Sequence, residues 1–337
     1  MKAALFDTVG RPLRVDTISD PEPEADEVVL KVAACGICGS DLHMTEDPET
    51  FGIGQGVVLG HEFAGEIVAL GKDVSGFRPG DRVAVAPMRG CGSCERCRAG
   101  EPAWCSGMRL IGGGYAELTA VAARQCRRLP ENLSLAEGAL AEPTAVGLHS
   151  VMRSGLKPGE RVLVLGAGPI GLLVALWARR MGAGAVVVAD INEYQKQRAF
   201  SVGATGFAIS GPGLAAEFER QVGCAPDIVF ECVGKRGLLD FACQLVRTQG
   251  KVVGVGLCVG GDEWDPFAVL NKEVTIIMAA FFNMAEFAMA IDVLANSDTF
   301  RPQSLITETI GLGRVPETFE ALRKRTTQCK VLIDVAA

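Results

Sequence analysis

Two patterns of apolar positions follow one another along the chain. Up to about residue 150, short apolar or β-branched runs are separated by turns of Gly, Pro and Asp, such as Arg78-Pro79-Gly80-Asp81. Strands at regular spacing without long helical patterns predict a mainly antiparallel barrel or sandwich. The predicted strands are Lys2–Phe6, Glu27–Ala34, Phe63–Leu70, Asp81–Ala86 and Ala116–Val121.

The pattern changes after Gly155-Leu156-Lys157-Pro158-Gly159-Glu160, where apolar strands alternate with segments of helix length. This alternation is typical of a parallel sheet covered on both faces. One predicted helix has Asn192 as its N-cap and Gly203 as its stop. The predicted elements are the strands Arg161–Leu165, Ala185–Ala189, Asp227–Cys232, Lys251–Leu257, Val274–Ala280 and Lys330–Val335, and the helices Pro169–Arg180, Glu193–Val202 and Pro316–Arg325.

Composition fits this division and excludes several classes of protein. The 337 residues suit about two domains. With 48% apolar and 22% charged residues the chain is expected to be globular. A net charge of −7 without a dense basic run makes a nucleic-acid or membrane partner unexpected. The longest apolar runs, Leu172–Ala178 and Ile276–Phe282, are too short to span a bilayer, and no signal peptide is visible, so a cytoplasmic location is expected.

Four of the twelve cysteines are clustered with the spacing C-x2-C-x2-C-x7-C: Cys91, Cys94, Cys97 and Cys105. Four thiolates on one short lobe can close a tetrahedral Zn²⁺ site, which is structural because no position is left for substrate. A disulfide scaffold fits poorly with a large chain that lacks a secretion signal. Four unrelated thiols, or a redox pair, are the alternatives.

A dinucleotide-binding turn follows the strand Arg161–Leu165. In this G-x-G-x-x-G motif Gly166 permits a tight turn, Gly168 lets the backbone approach a pyrophosphate, and Gly171 lets helix pack on strand. The pyrophosphate would lie at the positive end of the following helix. The predicted cofactor-binding residues are Gly166, Gly168, Pro169, Ile170, Gly171, Asp190 and Ile191.

Asp190 provides a second test of the same motif, because an acidic residue is expected at the end of the next strand. Its carboxylate would accept hydrogen bonds from the ribose hydroxyls and repel a 2′-phosphate, which favours NAD over NADP. The alternative is a Gly-rich turn in which Asp190 only caps a helix.

A second candidate metal site is spread along the chain and comprises Cys38, His61 and Glu142, with Glu62 next to the histidine. One thiolate, one imidazole and one carboxylate would leave a fourth zinc position for water or substrate, which is the catalytic arrangement. From spacing alone, His61 is equally compatible with a core histidine and Cys38 with a buried apolar thiol.

The stretch from Gly60-His61-Glu62 through Gly65 and Gly71 to Val74 resembles the signature of the zinc-containing alcohol dehydrogenases, which belong to the medium-chain dehydrogenase/reductase superfamily. The order of the motifs also agrees over nearly the whole chain, beginning with Gly36-Ile37-Cys38-Gly39-Ser40-Asp41-Leu42-His43. Glu142-Pro143, where the ethanol-type enzymes carry a cysteine, is more similar to the polyol and butanediol dehydrogenase branch.

The resemblance implies a fold and a set of cofactors. Residues 1–150 and 285–337 would form a GroES-like, mainly-β catalytic domain with a zinc lobe near 88–107. Residues 151–284 would form a doubly wound Rossmann domain that binds NAD, which makes the protein α/β. The resemblance also implies two Zn²⁺ per chain and a homo-oligomer, either dimer or tetramer.

The resemblance further implies roles at the catalytic zinc. Cys38, His61 and Glu142 would be its neighbours, and Glu62 a ligand or a close alternate. The zinc would lower the pKa of an alcohol, whose hydride then passes to the nicotinamide.

Three residues beside the catalytic zinc match further family positions. Asp41 would orient the liganding histidine, as metal sites generally require. Ser40 and His43 would form a relay that carries the alcohol proton to solvent.

The chain departs from the family pattern at three places, two of which affect the predicted substrate or cofactor contacts. Gly39 replaces a basic residue that some relatives use on the pyrophosphate, and Ile306-Thr307-Glu308 lacks a basic residue often found there. The connection Arg109–Gly114 is short, which predicts a wide pocket and a secondary, cyclic or polyol-type alcohol, or the matching ketone, as substrate. The pocket would be apolar if these residues line it: Leu110, Ile111, Phe281 and Phe282.

Two other functions are weighed against this one. A zinc-free NADPH-dependent enone or quinone reductase on the same fold has no use for the cysteines. A non-catalytic dinucleotide-binding protein would be expected to lose a ligand or the relay. The strand Val274–Ala280 is either a subunit contact by sheet extension or an interior strand.

Overall fold

The structure is a computed structural model that describes residues 1–296, 301–324 and 327–336. The chain divides into two units within these residues. The first contains Met1–Glu142, Asn283–Asn296 and the described residues from Ile306 onward, and the second contains Pro143–Phe282 with 301–305.

Strands and helices are numbered here in chain order. The strands are β1 (Lys2–Phe6), β2 (Arg14–Thr17), β3 (Glu27–Gly36), β4 (Val57–Val58), β5 (Glu62–Leu70), β6 (Arg82–Val85), β7 (Met88–Arg89), β8 (Arg109–Leu110), β9 (Leu118–Ala122), β10 (Cys126–Arg128), β11 (Arg161–Leu165), β12 (Ala185–Asp190), β13 (Gly206–Ile209), β14 (Ile228–Glu231), β15 (Lys251–Gly254), β16 (Thr275–Met278), β17 (Ile306–Gly311) and β18 (Lys330–Asp334). The α-helices are α1 (Gly39–Glu46), α2 (Pro48–Phe51), α3 (Glu95–Arg98), α4 (Leu135–Gly138), α5 (Ala141–Ser154), α6 (Pro169–Arg180), α7 (Lys196–Ser201), α8 (Leu214–Val222), α9 (Leu238–Leu245), α10 (Pro266–Lys272), α11 (Met284–Asn296) and α12 (Val315–Leu322).

The first unit is built on a mainly antiparallel sheet, as predicted. Its strand order is β10-β6-β5-β3-β18-β17, and β9 also pairs with β3. Strand β9 pairs with Glu27–Lys31 of β3, while β18 pairs with the end of β3 from Ala34 onward. This register brings the C-terminal strand β18 beside the segment that leads into Cys38. The unit also contains the sheet β2-β1-β4 and the two-stranded sheet β7-β8.

The second unit is a six-stranded parallel sheet with the order β13-β12-β11-β14-β15-β16. Its strands are almost continuously apolar, and Val162 to Val164 are fully buried, as expected for a sheet covered on both faces. Strand β11 and helix α6 have the predicted bounds. This order, which reverses direction between β11 and β14, is that of a doubly wound dinucleotide-binding domain.

Two predicted helix boundaries are wrong. Helix α7 begins at Lys196 instead of Glu193, because the Asn192 side chain accepts a hydrogen bond from the Tyr194 N–H (3.0 Å) and forms a turn rather than a cap. The C-terminal helix α12 begins one residue before Pro316 and ends at Leu322. Its predicted end, Arg325, lies outside the described residues.

Helix α5 places the first unit boundary at Glu142, whereas the sequence predicted it at residue 150. The helix packs against α6, where Trp177 Nε1 donates to the Thr144 carbonyl (2.9 Å). A Cβ on Gly147 would lie 2.9 Å from Leu173, so the two helices approach closely at this point. Most of α5 therefore belongs to the second unit. No helix in the described part of the chain is long and apolar enough to cross a membrane.

A buried carboxylate paired with two partly exposed arginines joins the beginnings of the central strands β11 and β14. Asp227 accepts hydrogen bonds from Arg161 and Arg247. Burial would raise the pKa of Asp227, but the hydrogen bonds of the two arginines hold it well below its ordinary value. The carboxylate is therefore charged when the protein is folded.

Candidate active site and metal centres

The end of strand β3 and the beginning of helix α1 form the first part of the candidate active site. Cys38 is the N-cap of α1, and Asp41 occupies the N3 position. The Asp41 carboxylate accepts a hydrogen bond from the Cys38 N–H (3.1 Å). The capping interaction therefore fixes the thiol and the carboxylate relative to each other.

Strand β5 brings the histidine and a glutamate to the same place. His61 immediately precedes β5, and Glu62 pairs with Gly36 of β3. The ligand atoms of Cys38, His61 and Glu62 all lie within 4.8 Å of one another. A thiolate, an imidazole and a carboxylate at this spacing match the donor set of a catalytic zinc site.

Glu142 is buried but lies outside this group of three. Burial raises the pKa of Glu142 to about 7, and the charge of Glu62 acts in the same direction. The charge of His61 acts in the opposite direction. Glu142 is thus close enough to His61 and Glu62 for their charges to affect its pKa.

The His61 ring is oriented by a fully buried Asp41. The Asp41 Oδ1 lies 3.2 Å from His61 Nδ1. Burial alone would lower the pKa of His61, but the Asp41 carboxylate raises it well above its ordinary value. Because Nδ1 is engaged by Asp41, Nε2 is the nitrogen available to a metal, which is the usual carboxylate–histidine–metal arrangement.

A second buried charge pair lies on the other side of the cluster. Lys330 Nζ donates to both Glu62 oxygens at 2.7 and 2.6 Å and also to the Ile37 carbonyl at 3.2 Å. Lys330 is 2% exposed and Glu62 is fully buried. Burial would lower the pKa of Lys330, but Glu62 raises it, so the ammonium stays charged.

The predicted proton relay lies on helix α1. Ser40 Oγ is 3.1 Å from Cys38 Sγ and 3.5 Å from His61 Nε2, so the hydroxyl lies beside two of the candidate metal ligands. His43 is three residues further along the helix, and its Nδ1 is 3.6 Å from Glu46. The His43 side chain is 40% exposed and can exchange protons with solvent.

The four-cysteine lobe lies between strands β7 and β8. Cys91, Cys94, Cys97 and Cys105 offer sulfurs that all lie within 4.8 Å of one another. Backbone N–H groups are directed at two of these sulfurs. The Cys94 N–H donates to Cys91 Sγ, and the Gly107 N–H to Cys105 Sγ, each at 3.4 Å. Hydrogen bonds from Ser93 and from the Cys94 N–H lower the pKa of Cys91 to about 5, whereas burial raises the pKa of Cys97 to about 12. Four sulfurs at this spacing match the donor set of a four-thiolate zinc site.

The Gly-rich turn has the predicted geometry. Gly166 has a φ of +97°, which favours glycine. A Cβ on Gly171 would collide with the Gly166 carbonyl oxygen, so the third glycine is needed for close packing. No atom lies within 4 Å of the Cβ position of Gly168, which leaves the backbone open to a ligand. The N-terminus of α6 begins directly after Gly168, at Pro169.

Asp190 ends strand β12 beside this turn. Its Oδ2 accepts a hydrogen bond from the Ala167 N–H (2.9 Å), and its Oδ1 accepts one from the Ile191 N–H (2.7 Å). The carboxylate is therefore fixed next to the turn by backbone donors.

Two residues of the short connection Arg109–Gly114 pack against other parts of the first unit. Leu110 pairs with Met88 in the lobe, and Ile111 packs against the core of the first unit. Ile111 is therefore partly buried against this core, Leu110 is 38% exposed, and Phe282 is fully buried.

Sequence reasoning missed Tyr115 and Lys330, which contact the proposed site. Tyr115 donates a hydrogen bond to Asp41, and Lys330 pairs with Glu62. One signal could have identified Lys330, because it is a charged residue directly before the apolar run Val331-Leu332-Ile333 of strand β18. Lysine is almost never fully buried without a partner.

Two family models match the chain. The "Alcohol dehydrogenase GroES-like domain" matches residues 24–131, and the "Zinc-binding dehydrogenase" domain matches residues 169–296. The chain belongs to the zinc-containing alcohol dehydrogenase family of the medium-chain dehydrogenase/reductase superfamily. The predicted family and fold are therefore confirmed.

Three relatives narrow the class of reaction. Human sorbitol dehydrogenase is 33% identical over 325 residues, which cover 93% of this chain and 90% of the relative. The crystal structure of 2R,3R-butanediol dehydrogenase from Bacillus subtilis is 31% identical with a TM-score of 0.86, covering 99% of each chain. A structure described as a short chain alcohol dehydrogenase from E. coli CFT073, complexed with NADH, is 28% identical with a TM-score of 0.88 and covers 99% of each chain.

These findings confirm the predicted enzyme class. The protein is an NAD-dependent zinc dehydrogenase that acts on CH–OH groups, of the polyol and alcohol dehydrogenase type. Its substrate is a small-molecule alcohol. The zinc-free reductase considered above has no use for two assembled sets of metal ligands.

Proposed function

We propose that the protein interconverts a secondary, cyclic or polyol-type alcohol and the matching ketone, with NAD as the hydride acceptor or donor. The observation that carries this proposal is the group of Cys38, His61 and Glu62, with ligand atoms within 4.8 Å and a buried Asp41 on His61. A non-catalytic dinucleotide-binding protein has no need of this arrangement.

We propose two zinc ions per chain. The catalytic ion would be held by Cys38 and His61, with Glu62, Glu142 or water completing the shell. The structural ion would be held by the four cysteines of the lobe, Cys91, Cys94, Cys97 and Cys105. Elemental analysis of active protein should give two zinc ions per chain, and a value of one or none contradicts this assignment.

The proton of the alcohol is transferred by residues of helix α1. Zinc, when bound, supplies Lewis acidity to the substrate oxygen. Ser40 accepts the hydrogen bond of the substrate hydroxyl and, with His43, passes the proton to solvent. Replacing His43 by Gln should slow alcohol oxidation most at low pH, where direct transfer to water is least favourable. An unchanged pH profile of kcat/KM contradicts this relay.

The cofactor is held by the Gly-rich turn. The open backbone at Gly168 and the N-terminus of α6 bind the pyrophosphate, with Pro169, Ile170 and Gly171 forming the first turn of the helix. Asp190 binds the adenosine ribose, and Ile191 lies next to it. NAD, when bound, supplies the hydride acceptor. The first unit is thus the catalytic domain, and the second is the NAD-binding domain.

The relatives of this protein and the sequence Glu142-Pro143 narrow the class of substrate. Sorbitol and 2,3-butanediol, which name two relatives, both carry a secondary hydroxyl beside another hydroxyl. The short connection Arg109–Gly114 supports a wide entrance, which gives ethanol few contacts. Each buried methylene is worth about 0.8 kcal/mol, so ethanol should fall several-fold to a thousand-fold behind a substrate that fills the pocket.

A substrate series tests this proposal. The measurement is kcat/KM with NAD⁺ for ethanol, 2-butanol, cyclohexanol, 2,3-butanediol and sorbitol under one set of conditions. A secondary alcohol or a polyol should rank first. Ethanol in first place shows that another loop closes the pocket.

We further propose a homo-oligomer that forms through β16. This strand lies at the edge of the parallel sheet, which supports the subunit-contact alternative for Val274–Ala280. Next to it the surface is apolar, because Phe267, Leu270 and Met278 are 69%, 70% and 62% exposed. A sheet edge with an exposed apolar patch is a surface that monomers normally avoid.

The oligomer is tested by light scattering on three proteins. Leu270→Lys should shift the mass toward the monomer, while Met289→Lys, a matched change on helix α11, should leave it unchanged. A monomeric unmodified protein contradicts the proposal. We also propose a cytoplasmic location, which the twelve free thiols support.

A further inference from the structure

Tyr115 places a phenol next to the proposed catalytic site, and the reaction as described does not use it. The side chain is fully buried, and its O–H donates to Asp41 Oδ2 at 2.7 Å. The ring packs edge-on against Phe319, with the ring centroids 6.4 Å apart. Phenylalanine would fill the same space, so the hydroxyl is the part of the residue that packing does not explain.

The two oxygens of Asp41 are used separately. Oδ2 accepts from the Tyr115 hydroxyl and from the Cys38 N–H, while Oδ1 faces His61 Nδ1. The terminal torsion of an aspartate is soft. Two donors on one oxygen fix the plane of the carboxylate and aim the other oxygen at the histidine. His61 then carries its proton on Nδ1 and presents the Nε2 lone pair to a metal.

The run Gly112–Gly114 explains how a tyrosine reaches this position. The N–H groups of Gly113 and Tyr115 both donate to the Leu59 carbonyl at 3.1 Å, and the Gly114 N–H donates to the Gly60 carbonyl at 2.9 Å. A Cβ on Gly60 would collide with the Tyr115 ring. The glycines therefore allow the segment to lie directly against the residues that precede His61.

We propose that Tyr115 is a positioning residue for His61, acting through Asp41, and that it sets the metal affinity of the catalytic site. The inference rests on the proposed function in one respect, the binding of zinc by Cys38 and His61. Partners that orient a metal-binding histidine typically change metal affinity by roughly 10- to 100-fold. Tyr115→Phe should therefore weaken metal binding by a factor in this range.

The chain offers a matched control, because Tyr115 and Tyr194 are its two tyrosines. Co²⁺ is titrated into the unmodified protein, Tyr115→Phe and Tyr194→Phe, and binding is followed at the absorption bands of the mixed sulfur, nitrogen and oxygen site. Tyr115→Phe should bind Co²⁺ roughly 10- to 100-fold more weakly, and Tyr194→Phe should match the unmodified protein. Equal affinity in all three proteins overturns the proposal.

A double-variant comparison tests the route through Asp41. In an Asp41→Asn background, adding Tyr115→Phe should change Co²⁺ affinity by less than about 3-fold, because the interaction is already impaired. If the two effects are independent and multiply, Tyr115 does not act through Asp41 and the proposal is wrong.

NMR of the unmodified protein covers the case in which Tyr115→Phe does not fold. With ¹³C in the tyrosine Cζ position two signals are expected, and Tyr194→Phe assigns them. The Tyr115 signal should move when Zn²⁺ is added to metal-free protein, and an unmoved signal overturns the proposal.

The Cys38→Ser variant distinguishes a failure of the proposed zinc site from a failure of the proposed role of Tyr115. If Cys38→Ser still shows the mixed-ligand bands at normal affinity, the proposed zinc site is wrong, and this inference falls with it. If Cys38→Ser loses the bands but Tyr115→Phe binds normally, only the role of Tyr115 is wrong.

Discussion

Replacing Lys330 by Met tests the buried charge pair beside the proposed catalytic zinc. Met preserves the length of the apolar stem but removes an ammonium that donates to both Glu62 oxygens. Glu62 is fully buried, so its carboxylate has no access to water when the partner is lost. Breaking a buried ion pair by removing one partner costs about 3–5 kcal/mol, and we expect a loss of this size in metal-free protein.

The double variant Glu62→Met with Lys330→Met is the matched control. It removes both charges and leaves two apolar side chains of similar length. Because a buried pair can often be replaced by apolar residues without loss, the double variant should recover most of the stability. Added Zn²⁺ should also reduce the penalty of the single variant, since the metal provides a new positive partner for Glu62.

Hydrogen exchange measured by mass spectrometry is the appropriate assay, because the two units need not unfold together. Peptides from β3, β5 and β18 should lose protection in Lys330→Met, while peptides from β11 to β15 provide an internal reference. A loss below about 1 kcal/mol in metal-free protein, or a double variant no more stable than the single variant, would refute the reasoning. If Zn²⁺ has no effect on the penalty, Glu62 is not a ligand.

Three further predictions follow from other parts of the structure. Cys38→Ser should abolish turnover with the melting temperature nearly unchanged, whereas Cys94→Ser should lower the melting temperature because it opens a closed structural site; equal melting temperatures contradict the distinction. Asp190→Ser combined with Ile191→Arg should shift the ratio of kcat/KM for NAD and NADP toward NADP, and equal use of both by the unmodified enzyme contradicts the role of Asp190. The pKa of Asp227 is lowered by folding, so its contribution to stability is complete above the unfolded value near 3.9, declines below it, and is lost as the pH falls through the lower pKa of the folded protein. Asp227→Asn should therefore be less stable near neutral pH and lose less stability on acidification, as measured by urea unfolding at several pH values; parallel pH curves contradict this.

The sequence predicted five of the six strands of the parallel sheet, because apolar runs and glycine turns are local signals, but it missed strand β13 and helices α5, α8, α9 and α10. Strand β11 and helix α6 have the predicted bounds, since a buried strand, a Gly-rich turn and an apolar helix follow each other directly. The predicted start of α7 was wrong, and the reason is also local. The Asn192 side chain bonds the Tyr194 N–H instead of capping the helix, and composition does not distinguish these two uses of Asn.

The sequence predicted only those residues of the candidate site that belong to short motifs. Cys38, Asp41, His61 and Glu62 belong to short motifs, whereas the residues that bond to Asp41 and Glu62 come from distant parts of the chain. Tyr115 is 74 residues from Asp41, and Lys330 is 268 residues from Glu62. Their roles depend on which strands pair with β3, and this pairing is a property of the folded sheet that no local pattern encodes.

The arrangement around strand β3 also determines the order in which the protein can be assembled during synthesis. The second unit is formed almost entirely by the continuous stretch Pro143–Phe282, so it can fold while the rest of the chain is still being made. One edge of β3 is completed only by β18, whose first residue is the lysine that pairs with Glu62. The Cys38–His61–Glu62 group therefore acquires its final charge balance only after Lys330, 268 residues beyond Glu62, has been synthesised.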